Sequence, residues 1–305
     1  MRVSYIGDYI RGRRMALGYT QEQLCEGICE PVTISRIENG RQLPSRNIIS
    51  ALLQRLGLNG DYYVALLSKN ESEKDALQTE IVSCNVHREK EKGLEKLCEL
   101  EKITEDGDNI TRQFILRSRV LLGKPDGEYS FEEKLRMLTE AIHLTVPQFD
   151  LEEIDRFLYS LDEVKVINQI ALVYSNHGEH EKAVDIFSQL LKYIQNHYQN
   201  ILQSSGILPM VAFNYSRELA LCNDYTKAIE IAELGWDSCV MYGYYQNLPG
   251  LISIIAECYF FLGNTNKSTE LYFQAYYLYK AINRQQDAKR VKSEIKNHLG
   301  IEIDF

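Results

Sequence analysis

The segment TQEQLCEGICEPVTISRIENG, residues 20–40, has the pattern of two short helices joined by a tight turn. Thr20 can cap the first helix, because its hydroxyl can accept a backbone N–H, and Gln23 completes a capping-box pattern. Gly27 marks the end of that helix, and Pro31 suits the first turn of the second helix, where a missing amide hydrogen costs nothing. The segment therefore predicts a helix-turn-helix unit, which lays its second helix in the major groove of DNA.

The second predicted helix has two unlike faces. Ile34 and Ile37 turn inward toward Leu24, which predicts a buried contact between the two helices. Three residues remain on the outer face, where side chains can reach base edges: Val32, Thr33 and Arg36. An arginine such as Arg36 can donate two hydrogen bonds to a guanine, which is worth about 1–3 kcal/mol of discrimination.

Two runs, TQEQL at 20–24 and ISRIENG at 34–40, resemble the DNA-binding domain of phage-repressor and Xre-type regulators. The inner piece EGIC at 26–29, six residues before Ser35, is similar to one branch of that group, the Rgg/PlcR/NprR-type receptors of Gram-positive bacteria, which respond to secreted signalling peptides. In that family a small helix-turn-helix domain precedes a long array of tetratricopeptide-like helix pairs. A helical bundle that never meets DNA is the alternative, and the two runs at helix-turn-helix spacing disfavour it.

The resemblance places DNA contacts on particular residues of this chain. Base and backbone contacts map to Gln21, Val32, Thr33 and Arg36. Side chains around the following turn are expected to bind phosphates: Ser35, Asn39, Arg41, Ser45 and Arg46. Glu30 and Glu38 are expected to be structural, Glu30 as a helix cap and Glu38 as the partner of a nearby arginine.

Charge is divided unequally along the chain. The whole protein carries a net charge of −9, yet residues 1–66 hold eight Arg, no Lys and six acidic residues, for +2. The remainder holds 26 basic and 37 acidic side chains, for −11. Only the N-terminal region is therefore suited to binding a phosphate backbone. Its cations are all arginine, which can donate two hydrogen bonds at once to a phosphate or a guanine.

Seven cysteines are scattered along the chain, and this usage suits reduced thiols in a cytoplasmic protein: Cys25, Cys29, Cys84, Cys98, Cys222, Cys239 and Cys258. Cys25 and Cys29 are four apart, but no second pair with ligand spacing accompanies them, so no metal site is predicted. The start lacks a secretory pattern and no uncharged apolar run approaches about eighteen residues, so we expect neither export nor a membrane partner. Phosphate loops, nucleophile elbows and paired catalytic carboxylates are absent as motifs, which predicts a non-enzyme without a cofactor.

Helical spacing organises the rest of the N-terminal region. It predicts one helix over about 5–17, ending at Gly18, and another over 48–56, capped by Ser45 and closed by Gly57. The polar segment 68–72 places the boundary between a DNA-binding domain at 1–67 and a ligand-sensing, dimerising repeat domain at 68–305. The predicted core of the first domain is Ile6, Ile10, Leu17, Leu24, Ile28, Ile34, Ile37, Ile48, Leu52 and Leu56.

A repeat of small, large, glycine, small and aromatic residues runs through the second half of the chain. It resembles a tetratricopeptide repeat in Ala171, Tyr174, Gly178, Ala183 and Phe187. The spacing returns in Ala256, Tyr259, Gly263, Ser268 and Tyr272, and more weakly in Ser216, Leu219, Asn223, Ala228 and Ala232. Degenerate pairs precede at 71–104 and 109–145, the latter with an inserted loop at 124–129, and 284–299 is expected to be a polar capping helix. The predicted fold is all-α: an N-terminal helix-turn-helix bundle followed by a right-handed superhelical array of tetratricopeptide-like helix pairs.

Such an array has a concave face, lined by the first helix of each pair. In this register eight residues point toward that face or lie close to it: Asn168, Leu172, Asn176, Phe213, Asn214, Arg217, Ser253 and Glu257. Asparagine amides can bind a peptide main chain, since each presents a donor and an acceptor, and the family uses groove asparagines in that way. For each residue singly, a packing or solvated role is the alternative.

Together these features predict a cytoplasmic transcription regulator that binds a double-stranded DNA operator as a homodimer and responds to a short linear peptide. The resemblance implies that peptide in the groove alters the curvature of the array and thereby the spacing of two DNA-binding units, which must match half-sites about 34–36 Å apart. One alternative is a phage-type or Xre-type repressor whose repeat domain is a protein–protein interaction scaffold. Another, an aspartyl-phosphate phosphatase, is disfavoured because those arrays lack the DNA-binding segment.

Overall fold

The computed structural model describes residues 6–42, 44–58, 69–197 and 206–302, and these residues form α-helices joined by turns and loops. The helices are α1 (Ile6–Ala16), α2 (Gln21–Cys25), α3 (Pro31–Glu38), α4 (Arg46–Arg55), α5 (Lys69–His87), α6 (Lys90–Lys102), α7 (Asn109–Leu122), α8 (Phe131–Thr145), α9 (Leu161–His177), α10 (His180–His197), α11 (Ile207–Leu221), α12 (Tyr225–Tyr242), α13 (Leu248–Phe261), α14 (Thr265–Ala281) and α15 (Gln285–Leu299). No strand occurs in these ranges, and Lys124 and Gly127 form an isolated bridge. The all-α prediction is confirmed.

Helices α1–α4 pack around one apolar core and form the N-terminal bundle. Its buried members are Ile10, Leu24, Cys25, Ile34, Ile37, Ile49, Leu52, Leu53 and Leu56, with Ile28 and Ile48 partly buried against them. The prediction for Leu17 was wrong: its side chain is 38% exposed, because α1 ends at Ala16 and the chain turns at Gly18, which has φ +78°. The side chain of Ile6, also predicted in the core, lies outside the described part of the chain.

The link between α2 and α3 has the geometry of a type II β-turn. Glu26 has φ −51° and ψ 124°, Gly27 has φ +71°, and the Ile28 N–H donates to the Cys25 carbonyl over 2.9 Å. Two features require glycine at position 27. The positive φ disfavours a residue with a side chain, and an added Cβ would lie 2.0 Å from the carbonyl oxygen of Thr145. The glycine that ends the first predicted helix is therefore also a point of close approach to α8.

Two of the three predicted helix caps in the N-terminal bundle form. Thr20 accepts the Gln23 N–H at the start of α2, and the Gln23 side chain accepts the Thr20 N–H in return. Ser45 accepts the Ile48 N–H at the start of α4 over 3.3 Å. Glu30 occupies the N-cap position of α3 without a capping hydrogen bond from its side chain, so that prediction was wrong. Its longer side chain does not reproduce the reach of Ser, Thr, Asp or Asn at this position.

The predicted sequence of helix pairs follows the bundle. Helix α5 packs with α6, α7 with α8, α11 with α12, and α13 with α14. Turns between consecutive helices contain a residue of positive φ: Arg88, Gly178, Asn223 and Gly263. The repeat pattern marked the last three of these, and Asn223 confirms the weaker copy, because asparagine tolerates the left-handed conformation better than other residues that carry a side chain.

The chain divides into two compact units, residues 1–173 and 174–305. The predicted domain boundary after residue 67 falls within 59–68, outside the described residues, so that division stays a prediction. In the second unit α15 buries Ala288, Val291 and Ile295, and apart from Leu299 its other residues are polar, as predicted for a capping helix. Among the described residues, every helix is too short or too polar to cross a lipid bilayer.

Candidate DNA-binding surface and ligand groove

Helix α3 presents one face to the core of the N-terminal bundle and the opposite face to solvent. Ile34 and Ile37 are buried, whereas Val32 is 53% exposed and Arg36 is also exposed. Thr33 is half-buried beside them. The predicted outer face therefore forms, and the Arg36 guanidinium lies where a base edge or a phosphate can approach it.

Glu38, at the end of α3, binds side chains from two other helices. Its buried carboxylate accepts hydrogen bonds from Nε of Arg14 at 2.6 Å and from Nη2 at 2.9 Å. The same carboxylate accepts Nε2 of Gln21 at 2.7 Å. The prediction that Glu38 partners an arginine is confirmed, and the hydrogen bond to Glu38 raises the pKa of Arg14. Gln21, a predicted DNA contact, is held at the first position of α2 by this network.

The residues predicted to bind phosphates lie at the end of α3 and the start of α4. Ser35 is half-buried, and Asn39 and Arg41 are exposed. The Asn39 amide donates to the Ser35 carbonyl at 2.7 Å, which fixes that side chain against the end of α3. Ser45 caps α4 as an acceptor and keeps its hydroxyl hydrogen for another partner. Arg46 begins α4, but its side chain lies outside the described part of the chain.

Arg55 of α4 is buried, contrary to the expectation that the arginines of the N-terminal region serve DNA. Its Nη1 donates to the carbonyls of Leu24 at 2.9 Å and Glu26 at 2.8 Å. Its Nη2 donates to the Thr145 carbonyl and to Oε1 of Glu163, both at 2.9 Å. The two charged side chains are only 2% and 1% exposed. A buried ion pair, with further hydrogen bonds from the guanidinium, thus joins the N-terminal bundle to α8 and α9 within the first unit.

The second carboxylate oxygen of Glu163 is occupied as well. It accepts the Ser160 N–H at 2.5 Å, while the Glu163 N–H donates to the Ser160 hydroxyl at 3.4 Å, which makes a capping box at the start of α9. Next to it, the Leu161 N–H donates to Oε1 of Gln54 at 3.0 Å. Glu163 was not among the predicted residues, although Ser160 three residues before it is a local signal for a cap.

Two predicted groove residues belong to the first unit, on α9. Asn168 is buried and Leu172 is half-buried. Beside them, the side chain of Gln169 is also buried and donates to the Arg117 carbonyl of α7 at 3.4 Å. The polar side chains of this part of α9 therefore lie inside the helical array rather than on an open surface.

Six predicted groove residues belong to the second unit, and their exposure differs. Asn176 and Arg217 are exposed, Phe213 and Glu257 are half-buried, and Asn214 and Ser253 are buried. Phe213 of α11 packs on α13, since a Cβ at Gly250 would lie 2.7 Å from its Cε2. Phe213 therefore has a packing role, and Arg217 one turn further along α11 is an accessible cation.

Helix α15 brings charged residues to Ser253 and Glu257 of α13. Glu294 accepts the Ser253 hydroxyl at 3.1 Å and pairs with Arg290 at 2.8 Å. Burial raises the pKa of Glu257 and the charge of Glu294 raises it further, while Arg290 and Arg217 oppose that shift. Only a capping role was predicted for α15, so Glu294 and Arg290 were not among the predicted groove residues, and no local pattern marks them as neighbours of α13.

A second buried carboxylate of this unit, Glu218 of α11, has partners on both oxygens. One oxygen accepts the Ser175 hydroxyl at 2.5 Å, and the other lies 2.7 Å from Nδ1 of His180. Glu218 directly follows Arg217, so its bonds fix the turn of α11 that carries this cation. This cluster was also missed, because its members come from three different helices.

Two family models match the chain. One, described as a helix-turn-helix domain, matches residues 6–62, and the other, the RNPP family C-terminal domain, matches residues 79–299. No curated protein sequence matches the chain.

Solved structures share the fold at low sequence identity. PlcR of Bacillus thuringiensis, in complex with the peptide PapR7 and DNA, superposes with a TM-score of 0.60 at 19% identity over 94% of this chain and 98% of that one. Its apo form gives 0.60 at 16% identity, over 95% and 98%. ComR of Streptococcus vestibularis, in complex with its cognate signalling peptide XIP, gives 0.55 at 16% identity, over 96% and 98%. Since the RNPP model spans most of the chain, C-terminal to a helix-turn-helix domain, this protein belongs to the RNPP family.

Proposed function

We propose that this protein is a sequence-specific DNA-binding regulator of transcription, controlled by a short signalling peptide that binds its helical repeats. The observation that carries the DNA-binding part is the division of α3, with Val32 and Arg36 outward and Ile34 and Ile37 anchored in the core. Membership of the RNPP family supports the same role. The protein acts as a regulator rather than an enzyme, in the cytoplasm where the chromosome lies.

In this proposal the DNA contacts divide by chemistry. Arg36 donates to a guanine, while Val32 and Thr33 approach neighbouring base edges. Gln21, oriented by Glu38, contacts the DNA backbone from the start of α2. Phosphates are bound around the turn between α3 and α4 by Ser35, Asn39, Arg41, Ser45 and Arg46.

The test begins with a duplex that the full-length protein selects from a random library. Fluorescence anisotropy then compares this duplex with an unrelated one. Arg36→Ala is expected to reduce the preference by about 1–3 kcal/mol, about 5- to 160-fold, while weak salt-dependent binding to both duplexes persists. Arg41→Ala, a phosphate contact, weakens binding to both duplexes alike. Undiminished preference in Arg36→Ala would show that this face of α3 does not read DNA.

A short linear peptide is the ligand class that the helical repeats support best. PlcR and ComR, which share the fold, were solved with the peptides PapR7 and XIP. In this chain Arg217 and Glu257 offer an exposed cation and a half-buried carboxylate to the charged or polar groups of a peptide. The exposed amide of Asn176 can pair with the main chain of a peptide, since it presents both a donor and an acceptor. A scaffold for a protein partner, the alternative, lacks comparable support from these structures.

Affinity selection from a synthetic library of short linear peptides, with the full-length protein as bait, supplies a ligand for calorimetry. Arg217→Ala and Glu257→Gln each remove a charged hydrogen-bonding group and are expected to weaken binding by about 1.5–3 kcal/mol, roughly 10- to 160-fold. Glu230→Gln, an exposed change on α12, is the control and leaves affinity unchanged. Unchanged affinity in both groove variants would place the peptide elsewhere, and a library without a binder would contradict the peptide proposal.

We further assign DNA binding to residues 1–67, and ligand sensing and dimerisation to residues 68–305. A homodimer presents two copies of α3 to two half-sites, whose centres must lie about 34–36 Å apart or a multiple of it. A peptide that prefers one conformation of the repeats can then change operator affinity by changing that spacing. Sedimentation velocity should give twice the chain mass of 35.3 kDa. A monomer both free and on DNA would contradict this part of the proposal.

A further inference from the structure

Cys25 and Cys29 flank the turn of the helix-turn-helix unit and are not used by the proposed DNA or peptide sites. The Cys29 N–H donates to the Cys25 carbonyl at 3.0 Å across this turn. From standard bond lengths, the carbonyl oxygen lies about 2.4 Å from its Cα and the amide nitrogen about 1.5 Å from its own, so the hydrogen bond holds the two Cα atoms within about 7 Å of each other. A disulfide spans Cα separations of about 4.4–6.8 Å, so the backbone already brings the two residues within bonding range.

Both cysteines line a cleft of about 600 Å³ within the first unit. Arg55 lines the same cleft, and Thr145 and Phe157 contribute to its wall. Cys29 is half-buried, whereas Cys25 is 1% exposed. A small molecule in the cleft therefore reaches Cys29 more readily than Cys25.

The surroundings make the two thiols chemically unequal. The pKa of Cys29 is lowered, first by a hydrogen bond from the Cys25 thiol and then by the charge of Arg55, against the opposing effects of burial and of Glu30. The pKa of Cys25 is raised by the same hydrogen bond and by burial. Since the thiolate is the nucleophile, the more accessible cysteine is also the more reactive one, and its neighbour holds a proton ready for the second step.

We propose that Cys25 and Cys29 form a redox-active dithiol, which hydroperoxides oxidise to an intramolecular disulfide. The Cys29 thiolate attacks a peroxide oxygen, the O–O bond breaks, Cys29 becomes a sulfenic acid, and the leaving alkoxide or hydroxide takes a proton from solvent. The Cys25 sulfur then attacks the sulfenic sulfur, and the departing hydroxide combines with the Cys25 thiol proton as water. The dithiol loses two electrons, and the hydroperoxide is reduced to an alcohol, or water, plus one further water.

The disulfide closes the loop through which the N-terminal bundle contacts α8. Between the two cysteines, Glu26 accepts a hydrogen bond from Arg55 at 2.8 Å, and Gly27 lies directly against Thr145. The Gly27 carbonyl also accepts the Asn109 amide of α7 at 3.4 Å. Oxidation therefore acts on the contact that positions the DNA-binding helices in the first unit.

The test treats the reduced full-length protein with an equimolar amount of hydrogen peroxide and maps its peptides by mass spectrometry. The peptide that contains both cysteines should lose the mass of two hydrogens and regain it with dithiothreitol. In Cys25→Ser, which lacks the resolving thiol, Cys29 should be trapped by dimedone as a sulfenic acid. In Cys29→Ser the disulfide is absent and Cys25 remains unlabelled. Cys98 and Cys222, which are exposed, are internal controls and should react several-fold more slowly than Cys29.

A second measurement uses only the wild-type protein and does not depend on the folding of the serine variants. Iodoacetamide alkylation of the reduced wild-type protein at neutral pH should modify Cys29 several-fold faster than Cys98. Equal or slower reaction at Cys29 would overturn the proposal. So would peroxide treatment that leaves Cys29 as a sulfenic acid in the wild-type protein or joins it to any cysteine other than Cys25.

Discussion

Replacing Arg55 with alanine should destabilise the first unit strongly. The change removes four hydrogen bonds, to the carbonyls of Leu24, Glu26 and Thr145 and to the Glu163 carboxylate. It also leaves Glu163, only 1% exposed, as a buried charge without its cation. Breaking a buried pair in this way costs about 3–5 kcal/mol. A unit of this size loses about 2–4 °C per kcal/mol, so we expect its midpoint to fall by about 6–20 °C.

A double-mutant cycle separates the ion pair from the other bonds of Arg55. Glu163→Ala removes the buried charge, so Arg55→Ala in that background should cost less than in the wild-type protein, with a coupling of about 0.5–3 kcal/mol. Arg41→Ala, an exposed change in the same bundle, is the control and should shift stability by less than about 0.5 kcal/mol.

The assay is urea or thermal unfolding of the full-length protein, followed by circular dichroism, with hydrogen exchange to locate the loss. Protection should fall in the amides of α2 to α4 and at the start of α9. A loss below about 1 kcal/mol for Arg55→Ala, or strict additivity in the cycle, would refute the assignment of a buried pair between α4 and α9.

Other changes test local features of the first unit. Gly27→Ala combines backbone strain at φ +71° with a clash at the Thr145 carbonyl, so it should destabilise the protein far more than the control Gly40→Ala. Gly40 has φ +67° with open space around it, and its replacement by alanine should cost only about 1–2 kcal/mol. Equal losses of stability in chemical unfolding would contradict the close approach of Gly27 to Thr145. Thr20→Ala should cost about 1 kcal/mol by removing the capping box of α2, and a neutral result in the same assay would argue against that cap. Burial raises the pKa of Asp108, but its hydrogen bonds to Lys74 at 2.7 Å and to Thr111 outweigh burial and hold this pKa below its ordinary value. A carboxyl group whose pKa is lower in the folded protein stabilises the fold at any pH above its unfolded pKa, and this stabilisation is lost as the pH falls through the folded pKa. Lys74→Met should therefore destabilise the protein at neutral pH and have almost no effect in strong acid. A loss of stability that does not depend on pH would contradict the ion pair between Lys74 and Asp108.

Much of the fold could be predicted because its signals are local. The helix-turn-helix unit could be predicted from a few neighbouring residues: the cap at Thr20, the glycine that the turn requires at position 27 and the proline at position 31. The helix pairs were predicted from small residues that return at fixed spacing, such as Ala171, and from turn residues that tolerate positive φ. The outward face of α3 followed from helical periodicity, which also placed Ile34 and Ile37 inside.

The features that the sequence did not reveal depend on distant partners. Arg55 and Glu163 are 108 residues apart in the sequence. Nothing in the local sequence around Arg55, near the end of a short helix, predicts that this arginine is buried. Leu17 fits the apolar spacing of α1 yet lies beyond its last residue, where the buried face no longer continues. Glu294 is one charge among many on α15, and only the packing of that helix brings it to Ser253.

The most direct test of the central claim is photocrosslinking from the outer face of α3. A benzophenone amino acid in place of Val32, which is 53% exposed, should crosslink the full-length protein to its selected operator. The same substitution at Val86 of α5, which is 66% exposed, should give no crosslink. Operator bound at saturation without any crosslink from position 32, or with an equal crosslink from position 86, would contradict the proposal that α3 reads DNA.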